Sequence, residues 1–332
     1  MTMHESLADA YVAGLRALAD GTPVPSVRDP LSKASNFGAA DRPALELLAH
    51  CFTVAHPRRC IVSSEAIPLH LPYCFALLAW TLAGRDDVAA LRYYRPGAAE
   101  FSDDGQTLSG AFGNRLFGEG RTRDQLASVI ARIRTDPASR RTWASILAAD
   151  DNFVDSREYP CAAGVQLFLR DGALHFLTVM RAQQALTVLP YDAFLFMSLQ
   201  AFATAALGAN LGQYVHFAGT FHIYEAETAA VNAVVTGPVH DAELPQFPSG
   251  AANARRCADR LTALEVALRA AAQAGDRGTL DRIAATPEQD PFTDCARATL
   301  CNFAYTIVGA DPTVEPAHPV PPALRQLITS RS

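Results

Sequence analysis

The chain has 332 residues, of which 49% are apolar, enough to bury one large core or two ordinary ones. Its formal charge of −6, from 28 basic and 34 acidic residues, argues against non-specific binding to nucleic acid, while a local arginine cluster remains able to hold a phosphate. No run approaches the roughly 18 consecutive apolar residues of a membrane span, and the acidic N-terminus does not read as a signal peptide, so a cytoplasmic protein is expected.

In chain order, apolar spacing predicts helices over 5–20 and 43–52. A further helix, "LPYCFALLAWTLAG" from Leu71, stops at Gly84. A polar stretch of 24 residues follows, "RPGAAEFSDDGQTLSGAFGNRLFG", and loops of that length often serve a site. "TRDQLASVIARIRTDPASRR" reads as an amphipathic helix ended by Asp136 and Pro137, followed by a strand-like "TWASILAA".

"GVQLFLRDGALHFLTVMR" predicts two strands joined by a tight turn at Asp171 and Gly172. "YDAFLFMSLQAFATAALG" is a long apolar helix, "QYVHFAGTFHIYEA" a strand, and the chain from Ala251 onward is rich in helix. No repeat or low-complexity linker interrupts it. These elements predict one α+β domain spanning 1–332, with a mixed sheet, surrounding helices and a helical extension over 251–315.

Seven cysteines without a CxxC pair fit neither a disulfide framework nor a zinc site, so no metal is expected and burial is the ordinary use of each. Cys161 differs by its neighbours. Pro160, Cys161, Gln166, Arg181, Pro190, Asp192, Gly219, His222 and Tyr224 occur in an order and spacing that resemble the thymidylate synthase superfamily. Arg140 and Arg141 at the end of "DPASRR", "GAFG" from Gly110 and "LLAWTLAG" extend the resemblance over roughly 70–227.

The resemblance implies a homodimer in which a Cys161 thiolate adds to C6 of a pyrimidine nucleotide and makes C5 a carbon nucleophile. It also implies that Arg181 holds the phosphate, joined by Arg140 and Arg141 reaching across the dimer. Gln166 would lie near the nucleotide, and His222 with Tyr224 at the sugar. Arg181 is expected to lower the thiol pKa. A further phosphate arginine is expected from the N-terminal segment, where Arg28 and Arg42 both fit. On residue type alone, solvated or ion-paired arginines are the ordinary reading of Arg181, Arg140 and Arg141, and a buried polar pair suits His222 and Tyr224 as well as a sugar site does.

Asp192 stands where thymidylate synthases have asparagine. An ionised carboxylate only accepts hydrogen bonds, which suits the cytosine amino group, although Asp192 also suits the cap of a helix starting at Ala193. Aspartate here and Ala182 after the arginine make the chain similar to cytidylate hydroxymethylases of nucleoside-antibiotic pathways, which implies hydroxymethylation of CMP or dCMP with 5,10-methylenetetrahydrofolate. Several departures oppose this. Leu77 replaces the family's glutamate, Phe112 a tyrosine, Ala162 a histidine, Gln184 a pterin-binding aspartate and Val188 a glycine. The alternative is an altered homologue that binds cytidylate or uses the cysteine adduct without folate.

Overall fold

The computed structural model describes residues 2–24, 43–118 and 121–330; Arg28 and Arg42 lie outside the described residues. The chain enters on strand β1 (Thr2–His4) and turns at Ser6 into helix α1 (Leu7–Leu18). There Ser6 Oγ accepts the Asp9 N–H and the Asp9 carboxylate accepts the Ser6 N–H, a capping box that satisfies two orphan donors. Strand β2 (Thr22–Val24) precedes β3 (Ala44–Val54).

The helix expected over 43–52 is therefore a strand. Apolar positions at 45, 47, 48, 51 and 52 satisfy either period over so short a run, and pairing decides. β3 runs antiparallel along strand β8 (Asn210–Tyr224) from Ala44 opposite Tyr224 to Val54 opposite Tyr214. The ladder skips Ala49, which takes a φ of 53°.

Strand β4 (Ile61–Ser64) leads to α2 (Leu71–Leu82), α3 (Val88–Tyr94), α4 (Phe112–Phe117) and α5 (Gln125–Thr135). α2 ends where Gly84 takes a φ of 69°, a turn that favours glycine. Asp124 caps α5 by accepting the Ala127 N–H. Strand β5 (Trp143–Ser145) precedes the hairpin of β6 (Ala162–Arg170) and β7 (Ala173–Gln184). Asp171 and Gly172, at φ 50° and 74°, supply the two left-handed residues such a turn requires.

Helix α6 (Leu189–Leu207) is followed by β8, α7 (Thr228–Thr236), β9 (Val239–Ala242), α8 (Ala251–Ala274), α9 (Arg277–Ala284), α10 (Pro291–Ile307) and α11 (Pro322–Thr329). The strands form a mixed seven-stranded sheet of order β1-β3-β8-β7-β6-β5, with β2 on β3, while β4 pairs with β9. β7 and β8 are parallel, so their C-terminal ends open side by side. A Cβ added to Gly219 would meet the Arg181 carbonyl oxygen at 2.8 Å, so glycine permits the close β7–β8 approach beside Arg181.

Helices α1 and α6 bury one face of this sheet, and α2 packs between α6 and α8. Leu177 beside Val215 and Val179 beside Phe217 form half-buried rows on the other face. No described helix is long and apolar enough to cross a membrane.

Candidate functional site

A cavity of about 1140 Å³ opens where β7 and β8 end, closed by the loop before β6, the first turn of α6 and the sides of α2 and α4. Cys161, Arg181, Asp192, His222 and Tyr224 all line it. The hairpin register explains part of this convergence, since Ala162 at the start of β6 lies opposite Met180, and the Arg181 N–H donates to the Cys161 carbonyl at 2.7 Å.

The Arg181 guanidinium clamps that loop. Its Nε donates to the Pro160 carbonyl at 2.9 Å and its Nη2 to the Tyr159 carbonyl at 2.8 Å, with the Tyr159 ring 4.8 Å away. Nη2 also lies 3.8 Å from Cys161 Sγ. The expected lowering of the thiol pKa does not result. Burial pushes the Cys161 thiol up, Arg181 opposes this, and the Asp192 and Glu158 carboxyls push the same way as burial. Cys161 therefore rests as a thiol at neutral pH.

Asp192 lies within the first turn of α6, whose N-cap is Val188, so it does not cap the helix. It accepts a hydrogen bond from Gln183 Nε2 at 3.0 Å, inside the protein. Burial raises its pKa to about 6, against the Gln183 bond and the Arg95 charge. Gln183 Oε1 is buried without a partner among the described residues, so a polar atom stands ready beside the carboxyl.

His222 and Tyr224 share a side of β8, their rings 5.7 Å apart and edge to face. Burial pushes the His222 pKa down, so the imidazole is neutral at pH 7.

Arg140, Arg141 and Gln166 do not line this cavity. Gln166 sits beside Leu177 in the ladder, on the sheet face away from α6, and donates through Nε2 to the Arg140 carbonyl at 2.9 Å. Both arginines are exposed.

Leu77, Trp80, Phe112, Val188 and Leu195 form an apolar wall, and Ala182 lines the cavity near Arg181. Ala162 is fully buried in β6. Gln184 is engaged at both ends. Its Nε2 donates to both Glu227 oxygens at 2.8 and 2.9 Å, and its Oε1 accepts the Thr187 and Val188 N–H groups. It braces the β7–α6 turn. Among the described residues no group of three or more His, Cys, Asp or Glu is placed to hold a metal.

Sequence reasoning missed Glu158, Gln183 and Arg95. Gln183 carried a signal, an amide where an apolar strand residue is expected, whereas Glu158 and Arg95 lie in irregular segments with no period to betray them.

A sheet that delivers a Pro-Cys turn, an arginine and a His-x-Tyr strand end to one cavity defines a thymidylate-synthase-like α+β protein. The thymidylate synthase family model matches residues 67–261, more than half of the sequence, and the chain belongs to that family. It is 32% identical over 159 residues to the deoxyuridylate hydroxymethyltransferase of Bacillus phage SP01, covering 44% of this chain and 41% of that protein. It is 28% identical over 169 residues to the thymidylate synthase of Symbiobacterium thermophilum, covering 45% of this chain and 57% of that one. The match thus spans about half the length of these curated relatives.

Proposed function

We propose that this chain is a one-carbon transferase acting at C5 of a cytosine nucleotide, a cytidylate 5-hydroxymethyltransferase with CMP favoured over dCMP. One observation carries the choice of base: Asp192, buried and bonded to Gln183, shares the cavity with Cys161, and its pKa of about 6 lets it exchange a proton with ring N3 near neutral pH. Its carboxylate accepts from the 4-amino group and from protonated N3, and the proton on N3 makes C6 more electrophilic. Cys161 Sγ adds to C6, and C5 becomes the carbon nucleophile.

His222 and Tyr224 hold the sugar. Arg181 retains an Nη1 with no hydrogen-bond partner among the described residues, and that edge takes the phosphate. Arg140 and Arg141 lie outside their own cavity, which supports their serving the site of a second copy. The half-buried rows of Leu177, Val179, Val215 and Phe217 supply an apolar face for that homodimer.

The cavity's volume and its apolar wall of Trp80, Leu77, Phe112 and Leu195 fit methylenetetrahydrofolate beside the nucleotide. Bound there, it supplies the carbon at the oxidation level of formaldehyde. Leu77 in the wall and Gln184 tied to Glu227 favour a second reading, a homologue that binds cytidylate or forms the Cys161 adduct without folate.

The test incubates the protein with CMP, dCMP or dUMP, with and without methylenetetrahydrofolate, and weighs the nucleotide by mass spectrometry. Gain of one CH2O on CMP, absent in Cys161→Ala, is expected. Conversion of dUMP alone sinks the cytidylate reading, and CMP binding without conversion supports the second one.

A further inference from the structure

Replacement of hydrogen at C5 requires a base, because the C5–H bond must break while the sulfur is still on C6. The base must stand in the cavity beside Cys161 with a free lone pair. Five carboxyl groups line that cavity: Asp151, Asp155, Glu158, Asp192 and Glu227. Both oxygens of Asp151 are taken by Arg115 at 2.7 Å. Glu227 holds Gln184 and the Tyr224 N–H, and Asp155 has an interaction of its own. Asp192 is bonded to Gln183 and is assigned to the base edge.

Glu158 remains. It precedes Cys161 by three residues in the loop that Arg181 clamps, and it is close enough for its charge to act on the thiol. Its Oε2 accepts the Gly110 N–H at 2.8 Å, and its Oε1 has no hydrogen bond among the described residues. A Cβ on Gly110 would meet Glu158 Cγ at 3.0 Å and Pro160 Cγ at 3.2 Å, so the glycine lets the "GAFG" loop press against this carboxyl and hold it. One oxygen is anchored and the other has no hydrogen-bond partner among the described residues, on a side chain that lines the cavity.

We propose that Glu158 is a catalytic residue, the base that removes the C5 proton of the nucleotide after Cys161 has added to C6. This rests on the reading of the site as one for pyrimidine C5 chemistry. In the step, the C5–H bond breaks, the proton passes to Glu158 Oε1, and the electron pair of that bond enters the ring as the C4–C5 enolate or its amino equivalent. Burial raises the Glu158 carboxyl to about 7, against the Gly110 bond, which suits a base that must both take and release a proton near neutrality.

The step also operates without any carbon donor. In D2O, Sγ adds to C6 while solvent delivers a deuteron to C5; Glu158 then removes the original proton, the S–C6 bond breaks, and the double bond returns with deuterium at C5. The experiment therefore follows C5 deuteration of CMP, and of dUMP in parallel, by NMR without folate, for the unaltered protein, Glu158→Gln and Glu158→Asp. Nucleotide binding is measured by calorimetry.

Glutamine keeps a carbonyl oxygen for Gly110, so a merely structural Glu158 would tolerate it. The expected result is an exchange rate at least about 10²-fold lower in Glu158→Gln, with unchanged nucleotide Kd. The rise in rate with pH through about 7 disappears in that variant, and Glu158→Asp recovers part of the rate. Exchange in Glu158→Gln at the unaltered rate and pH profile, or a fall matched by lost affinity, overturns the assignment. Exchange of dUMP but not CMP refutes the cytidylate reading and leaves the Glu158 comparison to be made on dUMP. Exchange of neither nucleotide refutes both.

Discussion

Arg181 holds Cys161 from two directions, donating its backbone N–H to the Cys161 carbonyl and setting Nη2 3.8 Å from Sγ. Because the same guanidinium also grips the Tyr159 and Pro160 carbonyls, it is at once a positional clamp and a cation beside the thiol. Burial nevertheless wins, and the thiol pKa lies above its ordinary value. Alkylation of Cys161 by iodoacetamide, read on its own peptide by mass spectrometry, should therefore be slow at pH 7 and rise only in the alkaline range. Arg181→Met should move that rise upward by about 1 pH unit or more, and Arg181→Lys by less. An unchanged profile in Arg181→Met would remove the electrostatic role.

Asp192→Asn exchanges an acceptor for a group that both donates and accepts. Affinity for CMP should fall roughly 10- to 100-fold, the cost of leaving a buried polar edge mismatched, while affinity for uridylate rises. Calorimetry with both nucleotides reads the switch. A second consequence concerns the free protein. The Asp192 pKa is raised to about 6, so its contribution to stability is fully present below about pH 4 and is lost as pH rises through 6. Above that, the ionised carboxyl costs on the order of 3 kcal/mol, and Asp192→Asn should raise the urea midpoint at pH 8 but not at pH 4. Equal shifts at both values would mean that the carboxyl ionises freely.

Where local chemistry and global fold agreed, the sequence was readable. Asp171-Gly172 announced its hairpin, Gly84 its helix end, and the 160–224 spacing the cavity. Strand β3 is not legible in the sequence because the apolar positions of the ten residues 43–52 fit two periods, and only its pairing with β8 chooses between them. The raised thiol pKa is hidden in the sequence because burial is a product of packing, which no neighbour in sequence reports. Glu158 and Gly110 meet across 48 positions, and neither belongs to an element whose period predicts the encounter. Arg140, Arg141 and Gln166 fit the family register yet lie outside their own cavity, a separation that spacing along one chain cannot express.

That separation yields a complementation test. If Arg140 and Arg141 serve a partner's phosphate, Arg140→Ala/Arg141→Ala and Cys161→Ala are each inactive alone, but a mixed dimer holds one site with both defects and one with neither. Mixing the two variants under subunit exchange should restore about a quarter of the unaltered C5 exchange activity, since random pairing makes half the dimers mixed, each with one intact site. Absence of recovery, with mixed dimers demonstrated by native mass spectrometry, would place the arginines outside the site. A charge at Phe217, on the half-buried face, should give monomers by sedimentation and lose the activity with them.

The helices after Ala251 are bound into the core rather than appended to it. Thr262 Oγ1 of α8 donates to the Ala79 carbonyl of α2 at 3.3 Å, and Phe292 of α10 meets Phe75 of α2 edge to face at 5.9 Å. At the centre of this extension Arg297 Nε donates to Asp294 Oδ1 at 2.9 Å, both side chains almost wholly buried. Burial opposes ionisation of Asp294, but the Glu288 N–H, Arg297 and the Ala317 N–H together hold its carboxyl below the usual range. Asp294→Ala leaves the Arg297 charge buried without its carboxylate, at a cost of about 3–5 kcal/mol. Trp80 in α2 and Trp143 in β5 are the two tryptophans, both outside the extension. If 1–332 folds as one cooperative domain, tryptophan fluorescence should report the whole loss as a single transition at lower urea. A tryptophan midpoint that stays in place while helical circular dichroism melts early would instead make the extension a separate unit, folding on a core that does not need it.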